Sequence, residues 1–366
     1  MLPRVVIDAR DAYAPQLRGW GRYTRCLLEA LWAGAGEGLD VHPLRDGGAG
    51  PEVLFEQVKL PVALARRGAA LVHSPNCFLP LLAACPGVVT IHDLAFEHWR
   101  SDFARVTGIK YRGLTPLAAR RAKRIICDST FTREDVCQRY RIDGEKIRVI
   151  PLAPALAIGD QTPPGGQYVL AVGDLRRKKN LGALVRAFVG LRRTQGIPHR
   201  LVLAGVDCGE GPRLLALAAG EPVELTGYLS DAALDALIRG AEVLVHPSLY
   251  EGFGLVVVEA MVRGTPVVAA RATALPETGG DAALYFDPAG EGGVGELTDG
   301  GAGEPGDGGA GEPGDGGSAD LARVLGDLLA DPQARAARSR QGLEWVARYS
   351  WERTARETAA VYRELL

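Results

Sequence analysis

The sequence predicts an α/β protein made of two doubly wound domains, each a parallel sheet with helices on both faces. Its 366 residues suit two domains of roughly 150 to 200 residues better than one core. Short β-branched runs alternate with helical patterns in both halves, and a Pro- and Gly-rich stretch at 151–167 separates the two series. The hydrophobic share of 47% is that of a globular chain, which excludes disorder along the whole length.

Four short apolar runs in the first half predict buried strands. They are RVVID at 4–8, AALVHS at 69–74, GVVTIHD at 87–93 and AKRIICDS at 122–129. Helical patterns cover 22–32 and 103–121. Strands that alternate with helices indicate a parallel sheet, so we expect one Rossmann-like domain over 1–155.

A second series of strands and helices follows the linker. The predicted strands are YVLAVGD at 168–174, RLVLAG at 200–205, VELTGY at 223–228, VLVHPS at 243–248 and TPVVAA at 265–270. The segments LGALVRAFVGLRR, LDALIRGA and LVVVEAMVRG lie among them and have helical patterns. This series predicts a second Rossmann-like domain over 165–349.

A repetitive acidic segment interrupts the second domain. Residues 289–317 are almost all Gly, Ala, Pro, Asp and Glu, and GGAGEPGD occurs twice within 300–315. The segment carries seven acidic and no basic residues, and it has too few apolar side chains to bury. We therefore expect a disordered insertion in a surface loop that takes no part in the chemistry.

The net charge and the hydropathy of the chain disfavour some classes of function. The net charge is −2, whereas a nucleic-acid binder usually has a basic excess, so that class is disfavoured. Residues 1–155 hold 22 Lys+Arg and 16 Asp+Glu, or +6, while the remainder holds 20 and 28, or −8. The basic first half suits an anionic acceptor or a membrane surface, and a scattered Arg-rich surface explains it equally well. No apolar stretch approaches the roughly 20 residues of a membrane span, so we expect a cytoplasmic protein.

The six cysteines give no sign of a metal site or a disulfide framework. None forms a CxxC pair, and no Cys/His cluster has zinc spacing. We expect reduced thiols, no metal and no cofactor.

The residues that follow the strands are the candidates for chemistry, because open α/β sheets bind ligands beyond the carboxyl ends of their strands. VLVHPS continues into LYEGFGLVVVEAM, which contains Glu251 and Glu259. Gly252 and Gly254 precede the helical stretch, where small residues let backbone amides approach an anion. Glu259 lies further along that helix, where a carboxylate accepts hydrogen bonds from a diol. The alternative is that both glutamates are surface helix charges.

A pair of lysines follows another strand of the same domain. Lys178 and Lys179 lie between the YVLAVGD run and the next helical pattern. Two cations at a strand end supply the counter-charge that a diphosphate needs. A solvated loop is the alternative interpretation, but the strand–loop–helix placement recurs at Glu251 in the same domain.

With these residues in place, the sequence resembles the family 4 glycosyltransferases, a retaining group with the GT-B fold. The segment 246–288 matches the family's E-x7-E motif at Glu251 and Glu259, and VGDLRRKKN at 172–180 resembles its V-G-x-L-x-x-R-K-N segment. GWGRYTRCLLEAL, TIHDL at 90–94 and CDSTFTREDV resemble three further family segments in the right order. The resemblance covers nearly the whole chain outside 289–317.

The resemblance implies a role for each matching residue. It implies that Lys179 contacts the donor's diphosphate, Glu251 holds the transferred sugar, Glu259 binds the ribose and His92 lies near the sugar and acceptor. It makes His92, Lys179 and Glu251 the catalytic residues. The donor-binding residues it implies are Gly19, Gly21, Gly173, Lys178, Lys179, Tyr228, Gly252, Phe253, Gly254, Leu255 and Glu259. Gly19 and Gly21 correspond to a glycine loop that faces the phosphates.

The resemblance also implies the reaction. A hexose passes from a nucleoside-diphosphate sugar to an acceptor hydroxyl, with retention and without a metal, in a cleft that the two domains face. The motif combination is closest to bacterial mannosyltransferases of polysaccharide assembly, so GDP-mannose is the first expectation, with UDP-sugars and other GDP-sugars next. A saccharide or lipid-linked acceptor fits, and a C-terminal helix over 350–366 is expected to pack back on the first domain.

Two features leave alternatives open. Lys178 stands where the family usually has Arg, which removes the bidentate fork, and Val256 replaces a common Pro. The rival functions are another GT-B enzyme, a sugar-nucleotide epimerase or phosphorylase, and a non-catalytic sugar-nucleotide-binding module.

Overall fold

Two six-stranded parallel sheets organise the computed structural model, which describes residues 2–14, 17, 19–45, 51–289 and 316–366. The chain divides into two compact units. The first unit comprises Met1–Ala155, Glu251–Leu255 and Ala347–Leu366, and the second comprises Leu156–Tyr250 and Val256–Val346. Most of the insertion expected at 289–317 lies outside the described residues, but Gly316 and Gly317 begin a helix rather than continue a loop.

The sheet of the first unit contains all four predicted strands. Its strands are β1 (Arg4–Asp8), β2 (Asp40–Leu44), β3 (Leu71–Ser74), β4 (Gly87–Ile91), β5 (Arg124–Cys127) and β6 (Ile147–Val149), in the order β2-β1-β3-β4-β5-β6. The sequence did not predict β2 and β6, the two edge strands. Strand β2 contains Pro43, which an edge strand tolerates because one side of it needs no ladder hydrogen bond.

The sheet of the second unit contains all five predicted strands. Its strands are β7 (Tyr168–Val172), β8 (Arg200–Ala204), β9 (Val223–Gly227), β10 (Val243–His246), β11 (Val267–Ala270) and β12 (Leu284–Phe286), in the order β12-β11-β10-β7-β8-β9. Helices cover both faces of parallel sheets, so their central strands are apolar throughout. Val169, Leu170, Val243 and Leu244 are fully buried accordingly.

Helices connect the strands in both units. In the first unit they are α1 (Gly19–Ala30), α2 (Glu52–Leu54), α3 (Leu60–Arg66), α4 (Ala95–His98), α5 (Arg105–Arg121) and α6 (Thr130–Tyr140). Those that follow are α7 (Leu181–Gln195), α8 (Gly211–Ala218), α9 (Asp231–Gly240), α10 (Leu255–Met261), α11 (Leu275–Gly279), α12 (Gly316–Ala330), α13 (Pro332–Val346) and α14 (Trp351–Arg363). A π-helical turn, Phe55–Lys59, joins α2 to α3.

Helix α14 belongs to the first unit, and hydrogen bonds hold it there. Ser350 caps the helix by accepting a bond from the backbone amide of Arg353. The hydroxyl of Tyr362 lies 2.6 Å from Nδ1 of His73, at the end of β3. Thr354 Oγ1 donates to the carbonyl of Pro151 at 2.7 Å. These bonds give the C-terminal segment a defined place on the first sheet's unit.

Within the described ranges, no helix is long and apolar enough to span a bilayer.

Candidate active site

The strand order of the second sheet marks where a ligand binds. Counted within its unit, the order is 6-5-4-1-2-3, so the first strand, β7, pairs with the fourth, β10. Chain connections leave these two strands in opposite directions, which opens a crevice at their carboxyl ends. The loop after β7 carries Gly173, Lys178 and Lys179, and the loop after β10 leads to Glu251.

The loop after β7 presents its lysines at the start of a long helix. Residues Arg177–Lys179 form a 3₁₀ turn, and Asn180 (φ 51°) then turns the chain into α7. Gly173 has a φ of 142°, and a Cβ built on it would lie 3.2 Å from Cε of Lys179. The glycine thus permits both the backbone turn and the path of the Lys179 side chain. The amides at the start of α7 and the adjacent cations provide positive charge at this position.

Hydrogen bonds hold the loop after β7 against the loop after β10. The amide of Leu249 donates to the carbonyl of Lys178 at 2.8 Å, and Nζ of Lys178 lies 3.4 Å from the carbonyl of Tyr250. The Ser248 hydroxyl also donates to the Lys178 carbonyl, at 3.3 Å. Lys178 therefore contacts the loop after β10 through both its backbone carbonyl and its side chain.

Glu259 lies on α10 and is buried, and a neighbouring arginine orients it. Its Oε1 accepts from the amide of Leu156 at 2.9 Å, and its Oε2 accepts from Nη1 of Arg263 at 2.6 Å. Arg263 is itself fully buried and also donates to Oδ1 of Asp235 at 2.8 Å. Arg263 was not predicted from the sequence. Its position four residues after Glu259, one helical turn away, is the signal that would have identified it.

Asp235 completes this buried ionic cluster. Burial opposes the ionised form, but bonds from the amide of Gly159 and the guanidinium groups of Arg239 and Arg263 outweigh it and hold the pKa of Asp235 below its ordinary value. Asp235 is therefore ionised at neutral pH, and its bond with Arg263 fixes the rotamer of that arginine and through it that of Glu259.

The segment Glu251–Leu255 belongs to the first unit, where it packs on the ends of β4 and β5. The carbonyl of Gly252 accepts from Oγ of Ser129 at 2.6 Å and from Oγ1 of Thr132 at 3.2 Å. A Cβ on Gly252 would lie 1.7 Å from the carbonyl oxygen of His92, so only glycine fits. Gly254 has a φ of 89°, the second position in this turn that requires glycine.

The remaining residues of this segment lead into α10. Phe253 is buried and meets the Tyr349 ring edge-on, with centroids 5.6 Å apart. Leu255 is the first residue of α10. Glu251 is half-buried and precedes Gly252 directly. The structure thus brings the Gly252 backbone and the His92 backbone together within the first unit.

His92 follows β4 and is buried in a polar pocket of the first unit. Its Nδ1 lies 2.6 Å from Oδ2 of Asp128, and its Nε2 lies 3.0 Å from the carbonyl oxygen of Pro75. The Tyr23 ring packs edge-on against the imidazole, with centroids 4.8 Å apart. Burial disfavours the protonated ring, but the charge and hydrogen bond of Asp128 and the Pro75 carbonyl raise the pKa of His92 above its ordinary value. Asp128 was not predicted from the sequence, although it directly follows β5.

The expected glycine loop at Gly19 and Gly21 is helical in the structure. Gly19 and Gly21 lie in the first turn of α1, not in a loop, because the helix begins three residues before the predicted start. A Cβ on Gly21 would come within 2.2 Å of the carbonyl oxygen of Asp11, whereas nothing lies within 4 Å of one on Gly19. Close packing against the 3₁₀ turn Arg10–Tyr13 accounts for Gly21.

Tyr228 lies at the carboxyl end of the sheet of the second unit. It follows β9, an edge strand, and β8 separates β9 from β7. Its side chain is 48% exposed. The amide of Gly205 donates to the carbonyl of the adjacent Gly227 at 3.1 Å, and a Cβ on Gly205 would overlap the Gly173 carbonyl, so the loop after β8 links the end of β9 to the loop after β7.

Comparisons with known proteins identify the family of the chain. Residues 27–153 match the family model described as Glycosyltransferase Family 4, and residues 159–289 match the one described as Glycosyl transferases group 1. The chain is 28% identical over 315 residues to O-antigen chain mannosyltransferase B of Escherichia coli, covering 81% of this chain and 74% of that protein. It is 28% identical over 316 residues to MMP alpha-(1->4)-mannosyltransferase of Mycolicibacterium hassiacum, covering 82% and 69%.

Solved structures show the same architecture. Sucrose-phosphate synthase from Thermosynechococcus elongatus has a TM-score of 0.72 at 22% identity, with 100% of this chain and 99% of that chain covered. Anabaena HepE, solved in complex with UDP and glucose, has a TM-score of 0.67 at 18% identity, with both chains covered completely. WaaG, a glycosyltransferase of lipopolysaccharide biosynthesis, has a TM-score of 0.68 at 16% identity, covering 98% of this chain and 99% of WaaG. The predicted GT-B fold is confirmed.

Proposed function

Because the chain belongs to the family 4 glycosyltransferases, we propose that it is a retaining hexosyltransferase that moves mannose from GDP-mannose to a saccharide or lipid-linked acceptor. The relatives named as mannosyltransferases support the choice of sugar. The UDP and glucose held by Anabaena HepE support a nucleoside-diphosphate sugar as the donor class. Polysaccharide or glycolipid assembly in the cytoplasm, at the inner surface of the membrane, is the setting we propose.

The arrangement at the carboxyl ends of β7 and β10 is the observation that carries the proposal. Lys178 and Lys179 precede α7, a helix of 15 residues, at the position where a sheet of this strand order binds its ligand. Negative charge grows on the departing diphosphate in the transition state. Two ammonium groups and the amides at a helix start stabilise that charge without a metal. We assign the diphosphate to Lys179 first and to Lys178 second.

Glu259 suits a hydroxyl-bearing ligand because its carboxylate is already fixed. The Leu156 amide and the Arg263 guanidinium hold one oxygen each. A carboxylate oxygen accepts more than one hydrogen bond, so each retains capacity for a ribose hydroxyl. We assign Glu259 to the ribose and Arg263 to the positioning of Glu259.

The residues of the Glu251–Leu255 segment are assigned to the transferred sugar. Glu251 holds its hydroxyl groups, and the turn formed by Gly252, Phe253, Gly254 and Leu255 offers backbone amides to the sugar and phosphate. His92 is assigned to the sugar and acceptor side. Retention follows from attack on the face that the diphosphate leaves, so we name no covalent carboxylate.

A thermal-shift screen followed by product analysis tests the proposal. We expect GDP and GDP-mannose to raise the melting temperature more than UDP, UDP-glucose or free mannose, since a ligand that binds only the native state stabilises it. Incubation with GDP-mannose and a saccharide acceptor should yield GDP and an α-linked product in equal amounts. Donor conversion without an acceptor would indicate an epimerase, phosphate-dependent cleavage would indicate a phosphorylase, and binding without turnover would indicate a binding module.

A further inference from the structure

Two helical segments of the first unit expose aliphatic side chains to solvent. Along the continuous segment from α2 to α3, Leu54, Val58 and Val62 recur every four residues and therefore share one face. They are 45%, 53% and 46% exposed. Amphipathic helices of a soluble domain usually turn such a stripe toward the core.

Helix α5 also exposes aliphatic side chains to solvent. Val106 and Ile109, in its first turns, are 82% and 63% exposed, and Leu117 further along is also exposed. Its opposite face already packs in the core of the first unit, through Tyr111 and Ala118. The exposed residues are therefore not needed to hold the helix on the sheet.

The two exposed stripes lie on neighbouring elements. Nζ of Lys110, on α5, lies 2.8 Å from Oε2 of Glu52 and 3.0 Å from Oε1 of Glu56, in the α2–α3 segment. The buried faces of both elements contribute to one hydrophobic cluster, with Leu60 from one and Tyr111 from the other. Both elements thus cover the same face of the sheet, with their aliphatic stripes on the outside.

A further exposed aliphatic residue lies on a loop that hydrogen-bonds to both elements. Leu82 is 82% exposed. The amide of the adjacent Leu81 donates to Oε1 of Gln57 at 3.0 Å, and the Leu81 carbonyl accepts from Nε of Arg121 at 3.1 Å. We call Leu54, Val58, Val62, Leu82, Val106 and Ile109 the aliphatic face.

The charges around the aliphatic face are strongly basic. Residues 103–123 contain six Lys or Arg and no Asp or Glu. Residues 51–70 contain Lys59, Arg66 and Arg67 and two glutamates, both of which pair with Lys110. Exposed aliphatic side chains among cations are the pattern of a surface that inserts shallowly into an anionic lipid interface.

We propose that the aliphatic face and its flanking cations bind the surface of an anionic membrane. This proposal rests on the lipid-linked acceptor of the proposed function. The observations that support membrane binding do not depend on the identity of the donor. A second copy of the chain fits less well, because a twofold contact through this face would oppose two basic patches. The aliphatic side chains enter the headgroup region while the cations meet the lipid phosphates.

Vesicle flotation of the full chain tests this surface. We expect binding to phosphatidylcholine vesicles that contain about a third phosphatidylglycerol, weak binding to pure phosphatidylcholine, and weaker binding at high salt because ions screen the lipid charge. The triple substitution Val58→Ser, Val106→Ser and Ile109→Ser should reduce the partition coefficient at least about tenfold, since each side chain loses burial in the interface. The double substitution Arg105→Gln and Arg120→Gln should lower binding to the anionic vesicles several-fold for each positive charge that is removed.

The matched control is Leu215→Ser with Leu343→Ser, two similarly exposed apolar residues of the second unit on α8 and α13. It should bind vesicles as the parent chain does. Equal binding by the triple variant and the control, or no binding by the parent chain, would overturn the proposal. A concentration-dependent dimer that the triple substitution abolishes, without vesicle binding, would assign the face to a second copy instead. Transfer to a water-soluble acceptor, measured in parallel, reports on the proposed function separately.

Discussion

Nδ1 of His92 lies 2.6 Å from Oδ2 of Asp128, and the other ring nitrogen faces the Pro75 carbonyl oxygen. A carbonyl oxygen only accepts hydrogen bonds, and an ionised carboxylate does the same, so this geometry favours a proton on both ring nitrogens. Asp128 therefore stabilises the imidazolium form of His92, and burial raises the pKa of Asp128 itself. The other titratable side chains that act on this ring are Asp93 and His73.

The first prediction is that Asp128→Asn removes a pH-dependent part of the stability. The pKa of His92 is raised in the folded protein, so its contribution is complete below the ordinary pKa of about 6.5 and is lost as the pH rises through the folded value. We expect the variant to lose about 1–3 kcal/mol at pH 6, the scale of a hydrogen bond to a charged group, and much less at pH 9. Urea unfolding of the parent chain and the variant at both pH values measures this loss of stability. The same loss at both would contradict the imidazolium assignment.

The second prediction separates the two glycines of α1. Gly21→Ala should destabilise the protein by about 1–3 kcal/mol, because the new methyl group would overlap the Asp11 carbonyl and force the backbone to move. Gly19→Ala is the matched control in the same helical turn and should be neutral or slightly stabilising, since its Cβ meets open space. Thermal unfolding compares them. Equal effects would show that packing against Asp11 does not explain Gly21.

The third prediction is that Glu251 and Glu259 bind different parts of the donor. Glu259→Ala should weaken binding of GDP and GDP-mannose alike, because its assigned partner is the ribose. Glu251→Ala should leave GDP binding nearly unchanged and lower the rate of transfer, because GDP has no sugar and sugar orientation matters most in the transition state.

Calorimetric titration with GDP, beside transfer rates, measures both variants. Glu259→Gln is the conservative control, since it keeps an acceptor for the Leu156 amide and loses the charge that pairs with Arg263. If Glu251→Ala weakens GDP binding as much as Glu259→Ala does, the two glutamates act as one nucleotide-binding unit and the sugar assignment is wrong.

Much of the fold was predictable because its strands are buried on both faces. The centre of RVVID and the run YVLAV are apolar, as strands buried in a parallel sheet are, and every predicted strand is present. The edge strand β2, DVHPL, was not predicted because it mixes polar residues with Pro43. Helix α6, TFTREDVCQRY, is mostly polar, so its hydrophobic pattern is weak, and its start is set by the Ser129 cap.

The candidate site was predictable where chemistry follows a strand and not where it depends on packing. Lys179 and Glu251 follow strands and match family segments, so the sequence alone singles them out. Arg263 and Asp128 act through Glu259 and His92, and only the folded chain brings each pair together. The family resemblance implied a loop at Gly21, whereas the residue lies in α1 and packs closely against the Asp11 carbonyl.

The fourth prediction tests the central claim most directly, that the cations after β7 stabilise the departing diphosphate. Lys179→Ala should lower kcat for transfer from saturating GDP-mannose by at least about a hundredfold, the scale of losing one preorganised charge-stabilising group. Arg177→Ala removes a cation from the same 3₁₀ turn, where the side chain is 60% exposed and 3.6 Å from Glu210, and it should keep kcat within about twofold. A folded Lys179→Ala variant with near wild-type kcat would contradict the claim.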